Sequence, residues 1–279
     1  MTEHNPLAGY FRQPAIYIGL PSGGKWYPEN ALELSANDEF PVYPMTAIDE
    51  ITYRTPDALY NGRAFVDVVS SCIPNIKDAW NIPSCDVDTL LVAIRIATYG
   101  HEMEINSQCP ECQSDEPRTL DLRQVMDRLQ APSYDEPITK GDLQIFIQPL
   151  TYQQLNKNNA IQFEEQKLIQ LLPDTDMEEN EKISKMTEAT NKITSMTLAA
   201  LANSIAAIVT PDGTVTEKEH ILEFLKNTDR GMFDTIRSKI VDLKSLSEVQ
   251  PLEIECSSCQ HKYKQGFTLD MTNFFGAVS

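Results

Sequence analysis

The sequence predicts an α+β fold, and three observations carry that reading. Two Cys-x-x-Cys knuckles, Cys109-Pro110-Glu111-Cys112 and Cys256-Ser257-Ser258-Cys259, are each flanked by segments with the two-residue alternation of half-buried strands. Residues 113–255, 143 in all, separate the knuckles, and much of that stretch repeats its apolar residues at helical spacing. Before the first knuckle, one short strand precedes helices whose starts are marked by capping residues. The expected parts are an N-terminal α+β domain (1–100), a split module of paired β-hairpins of zinc-ribbon type (101–150 with 250–279), and an inserted helical bundle (151–249).

Residues 14–20 read as a strand running into the turn Pro21-Ser22-Gly23-Gly24. Gly19-x-x-x-x-Gly24-Lys25 has the spacing of a phosphate-binding loop. However, Trp26 stands where a Ser or Thr would ligate Mg2+, and Pro28 stops the helix whose N-terminus would face a phosphate. A glycine-rich turn is the better reading. Thr46-x-x-Asp49 resembles a capping box, and Thr55-Pro56 places a cap before a favoured first-turn proline. Val87, Leu90, Leu91, Ile94 and Ala97 then mark a helix that Asp86 can cap and Gly100 can close. Arg95 within it is expected to be paired or at an edge.

Glu102–Ile105 and Leu252–Glu255 precede the knuckles as strands, and Thr119–Leu122 and Thr268–Met271 follow them as returning strands. A Cys-x-x-Cys turn presents two thiolates on one side of a loop, and Zn2+ takes four such ligands at tetrahedral corners. Cys109, Cys112, Cys256 and Cys259 would therefore hold one structural Zn2+, with no position left open for catalysis. The competing readings are a redox pair and four unconnected thiols. A redox Cys-x-x-Cys opens a helix, which lowers the thiol pKa, whereas both knuckles here lie between strands. His101 and His261 are near enough in sequence to replace a sulfur but read as exposed neighbours. Cys72 and Cys85 read as buried free thiols, consistent with a reducing compartment.

Past the first knuckle, Ile138–Leu143 reads as a hairpin turn leading into a strand through Gln148. Thr151-x-x-Gln154 caps a helix through Leu172, and the acidic run Asp174, Asp176, Glu178, Glu179 and Glu181 suits the solvated start of the next. That next helix carries Ile183, Met186, Ile193, Met196 and Ala200 and is expected to run on through Ile205 and Val209 across the centre of a bundle. A Pro211-Asp212-Gly213 turn, a helix capped by Thr216-x-x-Glu219 and a last amphipathic helix through Met232, Ile236 and Leu243 complete the excursion.

The 279 residues, 41% apolar, supply one large or two ordinary cores. Forty-one acidic against 23 basic residues give a net charge of −18, which argues against a nucleic-acid partner. The N-terminus lacks a secretion signal, and the apolar run around Leu198–Val209 is too short and interrupted to span a bilayer. No nucleophile elbow, metalloprotease helix or adequate phosphate loop is present, so no catalytic residue is assigned.

Four segments carry a resemblance: Phe11-Arg12-Gln13-Pro14, Leu20 to Pro28, Tyr43 to Ala47, and Pro74 to Trp80, joined by Asp86 to Arg95 and the first knuckle. Together they resemble the N-terminal signature of T-even-type bacteriophage baseplate hub proteins, specifically over about the first third to half of the chain and loosely over the helical excursion. The resemblance implies a non-enzymatic structural or assembly protein of a contractile tail, located in the virion baseplate and, during assembly, in the host cytoplasm. Its implied partners are other baseplate and tail proteins, with room for a homo-oligomer in a symmetric tail. A transient chaperone that leaves the finished virion is the alternative, followed by a cysteine-based redox or enzymatic factor.

Overall fold

Described residues of the computed structural model are 7–55, 61–174 and 177–266, and the chain divides into two units. The first takes residues 1–79, 85–131 and 247–279, and the second 80–84 and 132–246. The architecture is α+β, with several small antiparallel sheets, as the sequence predicts.

In the first unit β1 (Ile16–Ile18) pairs antiparallel with β2 (Phe40–Val42). Helix α1 (Ala47–Tyr53) starts with the expected capping box: Thr46 Oγ1 accepts from the Asp49 N–H, and the Asp49 carboxylate accepts from the Thr46 N–H at 2.7 Å. The Thr55-Pro56 start falls partly outside the described residues. Helix α2 (Arg63–Cys72) buries Phe65, Val68, Val69 and Cys72 on one face. Helix α3 (Ser84–Tyr99) is buried on nearly every side from Cys85 to Arg95 and forms the spine of the core. Gly100 ends it at φ 87°, where its N–H reaches the Ile96 carbonyl at 3.0 Å.

Two polar ties fix the loops around this core. The Arg12 guanidinium donates to the carbonyls of Pro44 and Ser71 at 2.6 and 2.7 Å and lies 3.4 Å from the Asp49 carboxylate. Asp86 does not cap α3. Its fully buried carboxylate accepts from the Ser22 N–H at 2.7 Å, the Ser22 hydroxyl at 2.6 Å and the Tyr27 hydroxyl at 2.9 Å. The glycine-rich turn is thus tied to an anion supplied by the protein itself, and no helix follows it. Arg95 also departs from expectation. Only 3% exposed, it lies over the Tyr99 ring at 4.4 Å, and among the described residues it has no carboxylate partner and its Nε and Nη1 have no hydrogen-bond partner.

The chain continues through β3 (Glu102–Gln108), the first knuckle, β4 (Asp115–Asp121) and α4 (Leu122–Arg128), the last capped by Asp121. It then enters the second unit. There β5 (Ile138–Lys140), β6 (Leu143–Ile147), β7 (Ile205–Thr210) and β8 (Gly213–Val215) form one antiparallel sheet in sequence order. Helix α5 (Tyr152–Leu171) begins with the expected Thr151–Gln154 box, and α6 (Glu179–Asn203) runs antiparallel to it as a helical hairpin. Glu165, buried between them, pairs with Lys192.

The expected run of α6 through Val209 is corrected. The helix stops at Asn203, and Ile205–Thr210 is a strand paired to β6, with Ile145 opposite Ile208. The β-branched Ile205, Ile208, Val209 and Thr210 suit a pleated surface, and hydrogen bonds to β6 outweigh the helical spacing. The insertion is therefore itself α+β. Helix α7 (Lys218–Asn227) follows Glu217, which makes no side-chain cap bond, so the Thr216–Glu219 box is not formed. Helix α8 (Arg230–Ser247) buries Met232, Ile236 and Leu243, as its periodicity requires. Back in the first unit, β9 (Leu252–Glu255), the second knuckle and β10 (Lys262–Gln265) complete the described chain. The returning strand expected at Thr268–Met271 lies outside it.

Candidate metal centre

Each knuckle is a turn closed by its own backbone. In the first, the Cys109 N–H donates to the Ser114 carbonyl at 3.0 Å, and the Gln113 N–H donates to the Cys109 carbonyl at 2.9 Å. In the second, Cys256 and His261, and Gln260 and Cys256, make the same two bonds at 3.0 and 2.9 Å. Gln113 and Gln260 occupy the left-handed region, at φ 58° and 60°, at equivalent positions. The chain must turn back there to return as a strand, and the turn leaves both sulfurs of a knuckle on one side.

The four sulfurs converge although 143 residues separate the knuckles. Cys109 Sγ lies 3.7 Å from Cys259 Sγ, Cys112 Sγ lies 3.6 Å from Cys256 Sγ, and all four sulfurs are within 4.8 Å of one another. A tetrahedron with metal–sulfur bonds of about 2.3 Å has sulfur–sulfur edges of about 3.8 Å. The two cross-knuckle distances match that edge, so the cluster could hold a metal ion. Cys109 and Cys256 are buried, while Cys112 and Cys259 are exposed.

The surroundings polarise the sulfurs unequally. Ser114 Oγ lies 3.3 Å from Cys112 Sγ and 3.4 Å from Cys256 Sγ, linking one sulfur of each knuckle. That hydroxyl is the main cause holding the Cys256 thiol down at about 6, helped by the backbone of its own turn, and it lowers Cys112 as well. At Cys259 a backbone bond from His261 favours the thiolate, but partial desolvation by the crowded cluster and the sulfurs of Cys112, Cys256 and Cys109 outweigh it and push the thiol up to about 12. Four crowded sulfurs cannot all be thiolates without a cation to balance them.

Further bonds join the hairpins beside the sulfurs. Glu116 accepts from the Ser257 N–H at 3.1 Å and from the Ser257 hydroxyl, and it pairs with Arg118 at 2.7 Å. Arg118 also donates to the Glu255 carbonyl, Ser107 bonds the Tyr263 hydroxyl, and Gln265 Nε2 donates to the Asn106 carbonyl at 3.1 Å. Sequence reading found the four cysteines and missed Ser114 and Glu116, whose only signal is their place just after Cys112. His101 and His261 are outside the cluster, and the His261 ring stacks on Tyr263. Cys72 and Cys85 are buried free thiols, with burial pushing Cys72 up to about 12.

No helix among the described residues is long and apolar enough to cross a membrane. Neither the curated proteins nor the solved structures give a match. A family model described as T4 bacteriophage base plate protein matches residues 50–276. The match begins after Phe11–Pro14, Leu20–Pro28 and Tyr43–Ala47 and takes in the whole excursion between the knuckles, which the resemblance in the sequence covered only loosely. Since the match spans most of the sequence and both knuckles, the chain belongs to the T4 bacteriophage base plate protein family.

Proposed function

We propose that this chain is a non-enzymatic structural or assembly protein of the baseplate hub of a contractile phage tail, built around one structural Zn2+ on Cys109, Cys112, Cys256 and Cys259. The family match over residues 50–276 carries the reading. Membership supports a structural protein of the baseplate, located in the virion tail and in contact with other tail proteins. The hub itself, a period in the host cytoplasm, self-association in a symmetric tail and the lack of nucleic-acid and membrane partners are finer parts of the proposal. The acidic surface, at a net charge of −18, supports the last of these by disfavouring phosphate backbones.

Zinc suits the donor set. Four thiolates are soft ligands, and a closed tetrahedral site leaves no position for water or substrate, so the ion would hold the fold. Its role would be to join two hairpins from distant parts of the chain at a fixed separation. Both knuckles lie between strands, which favours this role over a redox one. Exposed side chains offer partner surfaces: Phe163, Leu171 and Ile183 on the helical hairpin, and Tyr10, Phe11, Ile48 and Ile51 in the first unit.

Deleting the gene in its phage and imaging the lysate by electron microscopy tests the proposal. Heads should accumulate without complete baseplates or contractile tails, and normal infectious tails would reject it. Mass spectrometry of purified particles separates a retained component from a transient assembly chaperone.

A further inference from the structure

A groove of about 500 Å³ runs between the two knuckle hairpins, lined by Arg118-Thr119-Leu120 of β4 and Leu252-Glu253-Ile254 of β9. Among the described residues β4 pairs only with β3 and β9 only with β10, so each strand shows one unpaired edge. A strand with a free edge is a template for another chain, because alternate N–H and C=O groups lack partners. Glu255 already gives its carbonyl to Arg118, so Leu252–Ile254 of β9 offer about 10 Å of such an edge.

The charge of the lining is opposite to that of the chain. Arg118, Arg128 and Lys264 line the groove against the single carboxylate of Glu253, in a protein of net charge −18. Arg128 is exposed, and Lys264 and Glu253 form a loose pair at 3.8 Å. Arg118 uses Nη2 on Glu116 and the Glu255 carbonyl, while its buried Nε has no hydrogen-bond partner among the described residues. Leu120 and Ile254 supply apolar wall.

We infer that this groove binds an extended segment of a tail partner with alternating acidic and aliphatic residues, which adds as a strand between β4 and β9. Backbone bonds to the free edges supply affinity, and carboxylates facing Arg128, Lys264 and Arg118 set the preference. The proposed metal centre fixes how far apart the edges stand. The inference rests on the partner-binding reading above. Its test uses purified protein alone, so its failure is distinguishable from an unaltered tail phenotype.

The probe is a fluorescein-labelled octapeptide alternating Glu and Val, titrated with the full-length zinc-loaded chain and followed by anisotropy. Saturable binding is expected, lost for the Lys-Val isomer and for a peptide N-methylated at alternate residues. Arg128→Glu and Lys264→Glu, both exposed and remote from the core, should each weaken it roughly tenfold. Failure of the Glu-Val peptide to bind, equal binding of the Lys-Val isomer, or indifference to N-methylation would each overturn the inference.

Discussion

Asp86→Asn isolates the charge that ties the glycine-rich turn to the core helix. Asp86 is fully buried, and burial lifts its pKa from 3.8 to about 6, even though hydrogen bonds from Ser22, Tyr27 and Cys85 oppose the rise. The folded state therefore holds this proton more tightly than the unfolded state. As the pH rises from about 4 to above 6, ionisation costs the fold about 3 kcal/mol, at about 1.4 kcal/mol per pKa unit. Between pH 4.5 and 7.5 about 2 kcal/mol of that cost appears. An asparagine carries no such charge. Its carbonyl can accept from the Ser22 N–H while its amide donates to the Ser22 and Tyr27 hydroxyls, both of which can turn to accept. Urea unfolding of both proteins at the two pH values, followed by tryptophan fluorescence, gives the difference directly. Asn should gain about 2 kcal/mol relative to Asp on going from pH 4.5 to 7.5, with other titrating groups cancelling. Parallel pH profiles for the two proteins would refute the reasoning. Asp86→Ala should instead lose about 2–4 kcal/mol at pH 5, because it strands buried donors.

Other outcomes follow from the same geometry. Cys109→Ser and Cys256→Ser should lower the melting temperature by similar amounts, roughly 10 °C or more, because each opens the same proposed site; unequal losses in calorimetry would count against a shared ion. Thr151→Ala should cost about 1 kcal/mol in chemical unfolding, since the Thr151 hydroxyl caps α5, and no loss would contradict the cap. Lys25→Ala should leave the fold unchanged, and isothermal calorimetry should detect no magnesium-dependent ATP binding by either protein, because Asp86 already takes the donors of the turn. Saturable ATP binding lost on that substitution would reverse this reading.

What the sequence disclosed depended on how local the cause was. The capping boxes at Thr46 and Thr151, the turn at Gly141 and the stop at Gly100 were legible because each is set by residues within one turn of chain. The four cysteines were legible for a different reason. Metal-ligand spacing within a knuckle is local, and the need for four ligands points each knuckle toward the other. Asp86 was misjudged as a cap because its partners lie 64 and 59 residues away. Ile205–Thr210 was misjudged as helix because an apolar run reads equally as either, and only its pairing with β6 decides. Arg95 offered no sequence signal for burial without a carboxylate, and its setting over Tyr99 is a tertiary arrangement. The groove between β4 and β9 was equally hidden, since it exists only once the hairpins face each other. The proposed boundaries at 100/101, 150/151 and 249/250 bear on folding modules, and limited proteolysis tests them by whether cuts cluster there.

Metal analysis of the purified chain tests the role of the four converging sulfurs most directly. Protein prepared without added metal should contain one zinc per chain. Cobalt substitution should give the visible absorption of a tetrahedral tetrathiolate, and a strong chelator should remove the ion with a large fall in melting temperature. A metal-free protein whose melting is indifferent to chelator, with all four thiols freely reactive, would contradict it.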